Sequence, residues 1–136
     1  MRRQNVEVIQ QLKGVNMKTA LLVIQLIIAI GIVDVWIFRF GRSTPWRGGS
    51  AANMREEFRV YGLPAWSVGV IGLLKLACAA CLVAGIWVPE LIRPAAVVLA
   101  ALMLGAVVMH FKVKDPIQKS LPASTMLAMS LIVAIG

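Results

Sequence analysis

Four apolar runs divide the chain, and the segments between them are short and basic. The runs are Thr19 to Phe38, Ala65 to Trp87, Leu91 to Phe111, and Leu121 to Gly136. A helix crosses a bilayer core with about 20 apolar residues. The first three runs meet that length. The fourth covers about 24 Å at 1.5 Å per residue, short of a core about 30 Å thick. The last helix is therefore either tucked among the others or continues past Gly136. The pattern predicts an all-α fold, a transmembrane four-helix bundle over residues 19–136.

The polar stretch between the first two runs holds one further element. Asn53-Met54-Arg55-Glu56 reads as a helix start, with Asn53 as N-cap and Glu56 completing a capping box. Met54, Phe58 and Tyr61 share one face, Gly62 suits a C-terminal stop, and Pro64 blocks continuation. A short amphipathic helix from Asn53 to Tyr61 along the membrane surface is predicted. Residues 1–18 form a leader that is either disordered or interfacial. Val6, Ile9 and Leu12 recur there at roughly helical spacing.

Small residues at four-residue intervals fit close helix packing: Ala77, Cys81 and Gly85, then Ala101 and Gly105, then Ser124 and Ala128. Trp36, Trp46, Trp66 and Trp87 all fall at run ends or in the first loop, where interfacial belts place tryptophan. The first run is too long for a signal-peptide core and ends in Phe38-Arg39-Phe40-Gly41-Arg42 rather than small residues.

Composition agrees. The chain is 60% hydrophobic with mean hydropathy +0.83, beyond what soluble domains of this size carry. The net charge of +8 does not indicate nucleic acid. The cations sit almost wholly between the runs, at the level of anionic lipid headgroups. The loops at 39–64 and 112–120 hold eight Lys and Arg. The other face holds five: Arg2, Arg3, Lys13, Lys18 and Arg93. The positive-inside rule then makes the loops 39–64 and 112–120 cytoplasmic, and a bacterial inner membrane is the expected location.

Several polar residues fall inside or beside the runs. Asp34 lies about 7 Å below the interface, counting from Arg39, and Lys75 about 15 Å deep in the second run. Lysine can snorkel toward the interface, so a buried Asp34–Lys75 pair is expected. Met109-His110-Phe111-Lys112-Val113-Lys114-Asp115-Pro116 closes the third run and contains the one histidine. The candidate polar site is Asp34, Lys75, His110, Lys112 and Asp115. His110 is either a proton carrier or a helix cap. Arg42, Arg47, Arg55 and Lys114 are expected at lipid headgroups or an anion. Gly48 and Gly49 form either an anion nest or a plain turn. Cys78 and Cys81 lie deep in an apolar run, where burial disfavours thiolate chemistry. No metal-ligand spacing is present.

Phe40-Gly41-Arg42-Ser43-Thr44-Pro45-Trp46-Arg47-Gly48-Gly49, Glu56-Glu57-Phe58 with Tyr61-Gly62-Leu63-Pro64, and Met109 to Pro116 with Ser120-Leu121-Pro122-Ala123 together resemble the DoxX-like family of small four-helix membrane proteins. The resemblance covers about Asp34 to the C-terminus. It implies the bundle and an association with membrane redox complexes, one relative being linked to a thiosulfate:quinone oxidoreductase. Another branch includes an assembly chaperone for neuronal receptors.

Two functions follow. The first is a redox-associated subunit with a quinone or other lipophilic molecule between helices, its electrons supplied by a partner membrane or redox protein. The alternative is a non-enzymatic scaffold or assembly factor that grips a partner membrane protein or lipid. Carriage of an ion fits less well, because the polar residues gather at one face and line no complete path. A homo-oligomer is compatible with either function.

Overall fold

The computed structural model describes all residues from Met1 to Gly136. Its elements are helices: α1 (Arg2–Val33), α2 (Met54–Val60), α3 (Ala65–Ala84), α4 (Ile92–Lys112) and α5 (Ile117–Ile135). A π-helical turn, Asp34–Phe38, extends α1, and a 3₁₀ turn, Pro89–Leu91, precedes α4. Four helices are long and apolar enough to span a membrane, namely α1 with its π turn, α3, α4 with its 3₁₀ turn, and α5. They close a ring in which α1 packs on α3 and α5, and α4 packs on α3 and α5.

The core runs along the bundle axis through Ile28, Ile32, Leu82, Ala96 and Leu99, each at most 1% exposed. Outward positions such as Leu73, Ile30 and Trp66 are apolar and exposed. A bundle whose solvent is lipid carries that arrangement, since its outer face has no reason to be polar. Gln25 is the polar exception on the inner face of α1. Its amide donates to the Leu82 carbonyl near the end of α3, one of the orphan acceptors that every helix terminus leaves.

Three boundaries differ from the sequence pattern. Residues 2–18 are helical and continuous with α1. No proline interrupts them, and Gly14 alone is too weak a breaker to stop a helix. With its π turn this helix is 37 residues long, about 55 Å, and its N-terminal half stands clear of the bundle. The last helix starts at Ile117 rather than Leu121, directly after Pro116. Its 19 residues give about 28 Å, close to a full span. The second span ends at Ala84, three residues before Trp87.

Both ends of α2 follow the sequence signals. Asn53 Oδ1 accepts from the Glu56 amide at 2.9 Å. Glu56 Oε2 accepts from Ala52 N at 2.8 Å, one residue earlier than in a standard capping box. Gly62 takes φ +77°, with Leu63 N bonded to Phe58 O at 3.0 Å. That is the left-handed termination that glycine permits.

Candidate functional site

The polar site is built where the first loop folds back over the ends of α1 and α4. Arg47 holds the loop together. It is 4% exposed. Its Nε donates to Arg42 O at 3.0 Å, Nη1 to Glu57 Oε2 at 2.8 Å, and Nη2 to the carbonyls of Arg39 and Phe40. Arg47 is thus not free for a headgroup or an external anion. Its fork fits a carboxylate and several carbonyls at once. Glu57 receives two further donors, Gly48 N at 3.1 Å and the Tyr61 hydroxyl at 2.7 Å. A buried carboxylate with three donors is satisfied in the way burial demands.

The two glycines do different work. A Cβ at Gly48 would collide with the Tyr61 ring. Gly49 has φ +57°, donates its N–H to Asp115 Oδ1 at 3.0 Å, and accepts from Lys119 Nζ. The pair does form an anion-binding turn, but the anions are this chain's own carboxylates.

Asp115 reaches that turn through the end of α4. Lys114 N bonds to Phe111 O at 3.1 Å, and Asp115 N to His110 O at 3.0 Å. This is the double-bonded termination whose turning residue is left-handed. Here that residue is Lys114, at φ +56°. The reversal swings Asp115 back onto His110, where Oδ2 lies 2.8 Å from Nδ1. Burial alone would raise the Asp115 carboxyl. The His110 hydrogen bond, the Gly49 N–H and the charges of His110 and Lys119 outweigh it, holding the carboxyl below its usual range.

An ionised Asp115 is acceptor-only, so His110 Nδ1 carries a proton and Nε2 is turned the other way. Nε2 lies 3.4 Å from the Tyr61 hydroxyl, and the two rings meet edge-on at 5.7 Å. Burial, then the neighbouring Glu57 and Asp115 carboxylates, push the Tyr61 phenol upward, against the opposing pull of Arg47. Tyr61 therefore stays protonated and donates to Glu57. The result is one row of polar contacts: Arg47, Glu57, Tyr61, His110, Asp115, Gly49, in which the Tyr61 proton goes to Glu57 and the Tyr61–His110 link is a 3.4 Å approach.

Beneath this row lies a cavity of about 480 Å³ between the helices. Its walls are mostly apolar, among them Ile32, Trp36, Met103 and Met126, and its polar lining includes Tyr61, His110 and Lys75. Small-molecule sites have this character, apolar with a few convergent polar groups, at about 300–1,000 Å³.

The Asp34–Lys75 pair does not form. Asp34 binds Arg39 instead, at 2.9 Å, with both side chains about half exposed. The π turn explains this, because Arg39 N bonds to Asp34 O and sets the two side chains one wide turn apart. Trp36, two residues on, faces inward and packs on the bare backbone of Gly72, where a Cβ would lie 2.7 Å from the ring. With Trp36 pointing in, Asp34 points out. Lys75 sits over the Trp36 ring, 5.3 Å from its centroid.

Of the other expected residues, Lys112 donates to Tyr61 O at 2.9 Å, closing the end of α2. Arg55 lies over the Phe40 ring at 5.7 Å, and Arg42 and Lys114 are exposed. His110 and Asp115 do come together. Glu57, Tyr61 and Lys119 join the site without having been singled out. Glu57 carried a usable signal, as an acid on the apolar face of α2 beside Met54, Phe58 and Tyr61.

Residues 38–133 match the model of the DoxX-like family. The chain is also 32% identical over 82 residues to "Uncharacterized protein YdgD" from Bacillus subtilis (strain 168), covering 60% of this chain and 72% of that protein. No solved structure matches it. The matched segment takes in the loop, α2, three membrane-spanning helices and the whole row of polar contacts, and the chain is an integral membrane protein that belongs to the DoxX-like family.

Proposed function

We propose that this protein is a redox-associated membrane subunit that binds a quinone, or another lipophilic molecule bearing carbonyl oxygens, in the cavity between its helices. The cavity carries the reading: apolar walls for a ring and tail, with Tyr61, His110 and Lys75 among its lining residues. His110 would carry protons to the ligand's oxygen from the loop side, where Asp115 holds its ring, and electrons would come from a partner redox protein. The test is native mass spectrometry of gently solubilised protein, followed by solvent extraction. A quinone at near-stoichiometric amount is expected. Lipid alone would sink the reading.

A scaffold or assembly role is the second reading. The N-terminal half of α1 favours it, since Val6, Ile9 and Leu12 are more than half exposed there beside Arg2, Arg3 and Lys13. If that role is the true one, deleting residues 2–16 abolishes copurification of a stoichiometric protein partner.

For location we propose a bacterial inner membrane with the loops 39–64 and 112–120 cytoplasmic. Several cations of those loops are engaged internally, but the charge rule acts as the chain inserts, before those contacts exist. Labelling of single cysteines at positions 42 and 93 in intact cells checks it. Exclusive labelling at 42 reverses the orientation.

A further inference from the structure

The cavity's charged groups are nearly all committed to protein partners. Arg47 is taken by Glu57 and backbone carbonyls, Arg39 by Asp34, and Lys119 by the Gly49 carbonyl. Glu57 holds three donors, and His110 Nδ1 is bound to Asp115. Lys75 is different. The residue is 9% exposed, lines the cavity, and has no hydrogen-bond or ion-pair partner in the protein. Glu57 acts on its charge through space but from beyond ion-pair distance. Trp36 supplies only the face of a ring. An ammonium at membrane depth keeps three donors that need acceptors, and leaving them unmatched in an apolar wall is costly.

We infer that Lys75 is the head-group donor of the cavity and that its ligand is a lipophile presenting an acceptor oxygen, carbonyl or anionic, to that ammonium. The inference rests on the lipophile-binding reading above and narrows it. Ligands with a cationic or wholly hydrocarbon head are excluded, the first by like charge and the second by leaving the donors unmatched. Trp36 then stands against the ligand's ring, and its position 5.3 Å from Lys75 makes it a reporter of occupancy.

The experiment uses the full chain in detergent with Trp46→Phe, Trp66→Phe and Trp87→Phe, so that Trp36 is the one emitter. Its quenching is titrated with 2-decyl-1,4-benzoquinone. Decylbenzene, which keeps ring and tail but lacks both oxygens, serves as competitor. Saturable quenching is expected, with decylbenzene competing weakly. Lys75→Met should weaken the quinone at least about tenfold, the worth of a hydrogen bond to a charged group, while decylbenzene is unchanged. Lys75→Gln, which keeps a neutral donor, should fall between. Equal quinone affinity in Lys75→Met overturns the inference and leaves the lipophile reading standing. An equal loss for both probes also overturns it, because Lys75 would then only shape the cavity. No saturable quenching in the parent protein overturns both.

Discussion

Replacing Arg47 with methionine tests whether the loop is a structural lid over the cavity. Methionine keeps the apolar stem and removes the guanidinium. It strands the Glu57 carboxylate, whose side chain is 12% exposed against 4% for Arg47. It also frees the carbonyls of Arg39, Phe40 and Arg42. Breaking one partner of a buried pair costs about 3–5 kcal/mol, whereas an exposed pair is worth about 0–1 kcal/mol. The burial decides for the larger figure. Adding Glu57→Gln removes the stranded charge while the amide oxygen still accepts from Gly48 and Tyr61, so the double variant should recover part of the loss. A coupling of about 0.5–3 kcal/mol is expected. Unfolding in mixed micelles, titrated with dodecyl sulfate and followed by helical ellipticity, measures all four corners. A loss below about 1 kcal/mol in Arg47→Met would refute the reasoning, since the guanidinium would then be hydrated and the lid loose.

Three further outcomes are expected. Asp34→Ala and Lys75→Ala should be additive within about 0.5 kcal/mol, because the two side chains do not meet; a strong coupling in the same unfolding assay would restore the pair. Lys114→Gly should stabilise by about 0.5–1 kcal/mol, relieving a left-handed backbone that side chains resist, and Lys114→Val should do the reverse. Asp115 is held below its ordinary carboxyl value, so its contribution is complete above about pH 4 and fades as pH falls through the folded value. Wild type should therefore exceed Asp115→Asn at pH 7, with the gap narrowing toward pH 3; a constant gap would mean that the charge is not what docks the loop.

The bundle was legible because lipid imposes a length and a hydrophobicity on each span, and α2 because its cap and stop residues act locally. The long α1 was not, since no residue marks where a spanning helix stops and a projecting one begins. The site was half legible. His110 and Asp115 sit five residues apart, and the Schellman-type end of α4 joins them, but a lysine occupies the position where glycine would have announced the turn. Asp34 lies at a depth that Lys75 can reach, but depth does not fix which way its side chain faces. The π turn and the inward Trp36 rotated it away from Lys75. Arg47 looked like a headgroup contact because its partners, Glu57 and three carbonyls, are brought together only by the folded loop.

Photoaffinity mapping tests the central claim most directly. The protein, purified in mild detergent, is irradiated with an azido-substituted decylbenzoquinone, digested and sequenced by mass spectrometry. If the cavity is the lipophile's site, label concentrates at Trp36, Met103, Met109 and Met126, which line it, and excess unlabelled quinone removes it. Label confined to outward residues such as Leu73 and Val97, and indifferent to competitor, would contradict the account.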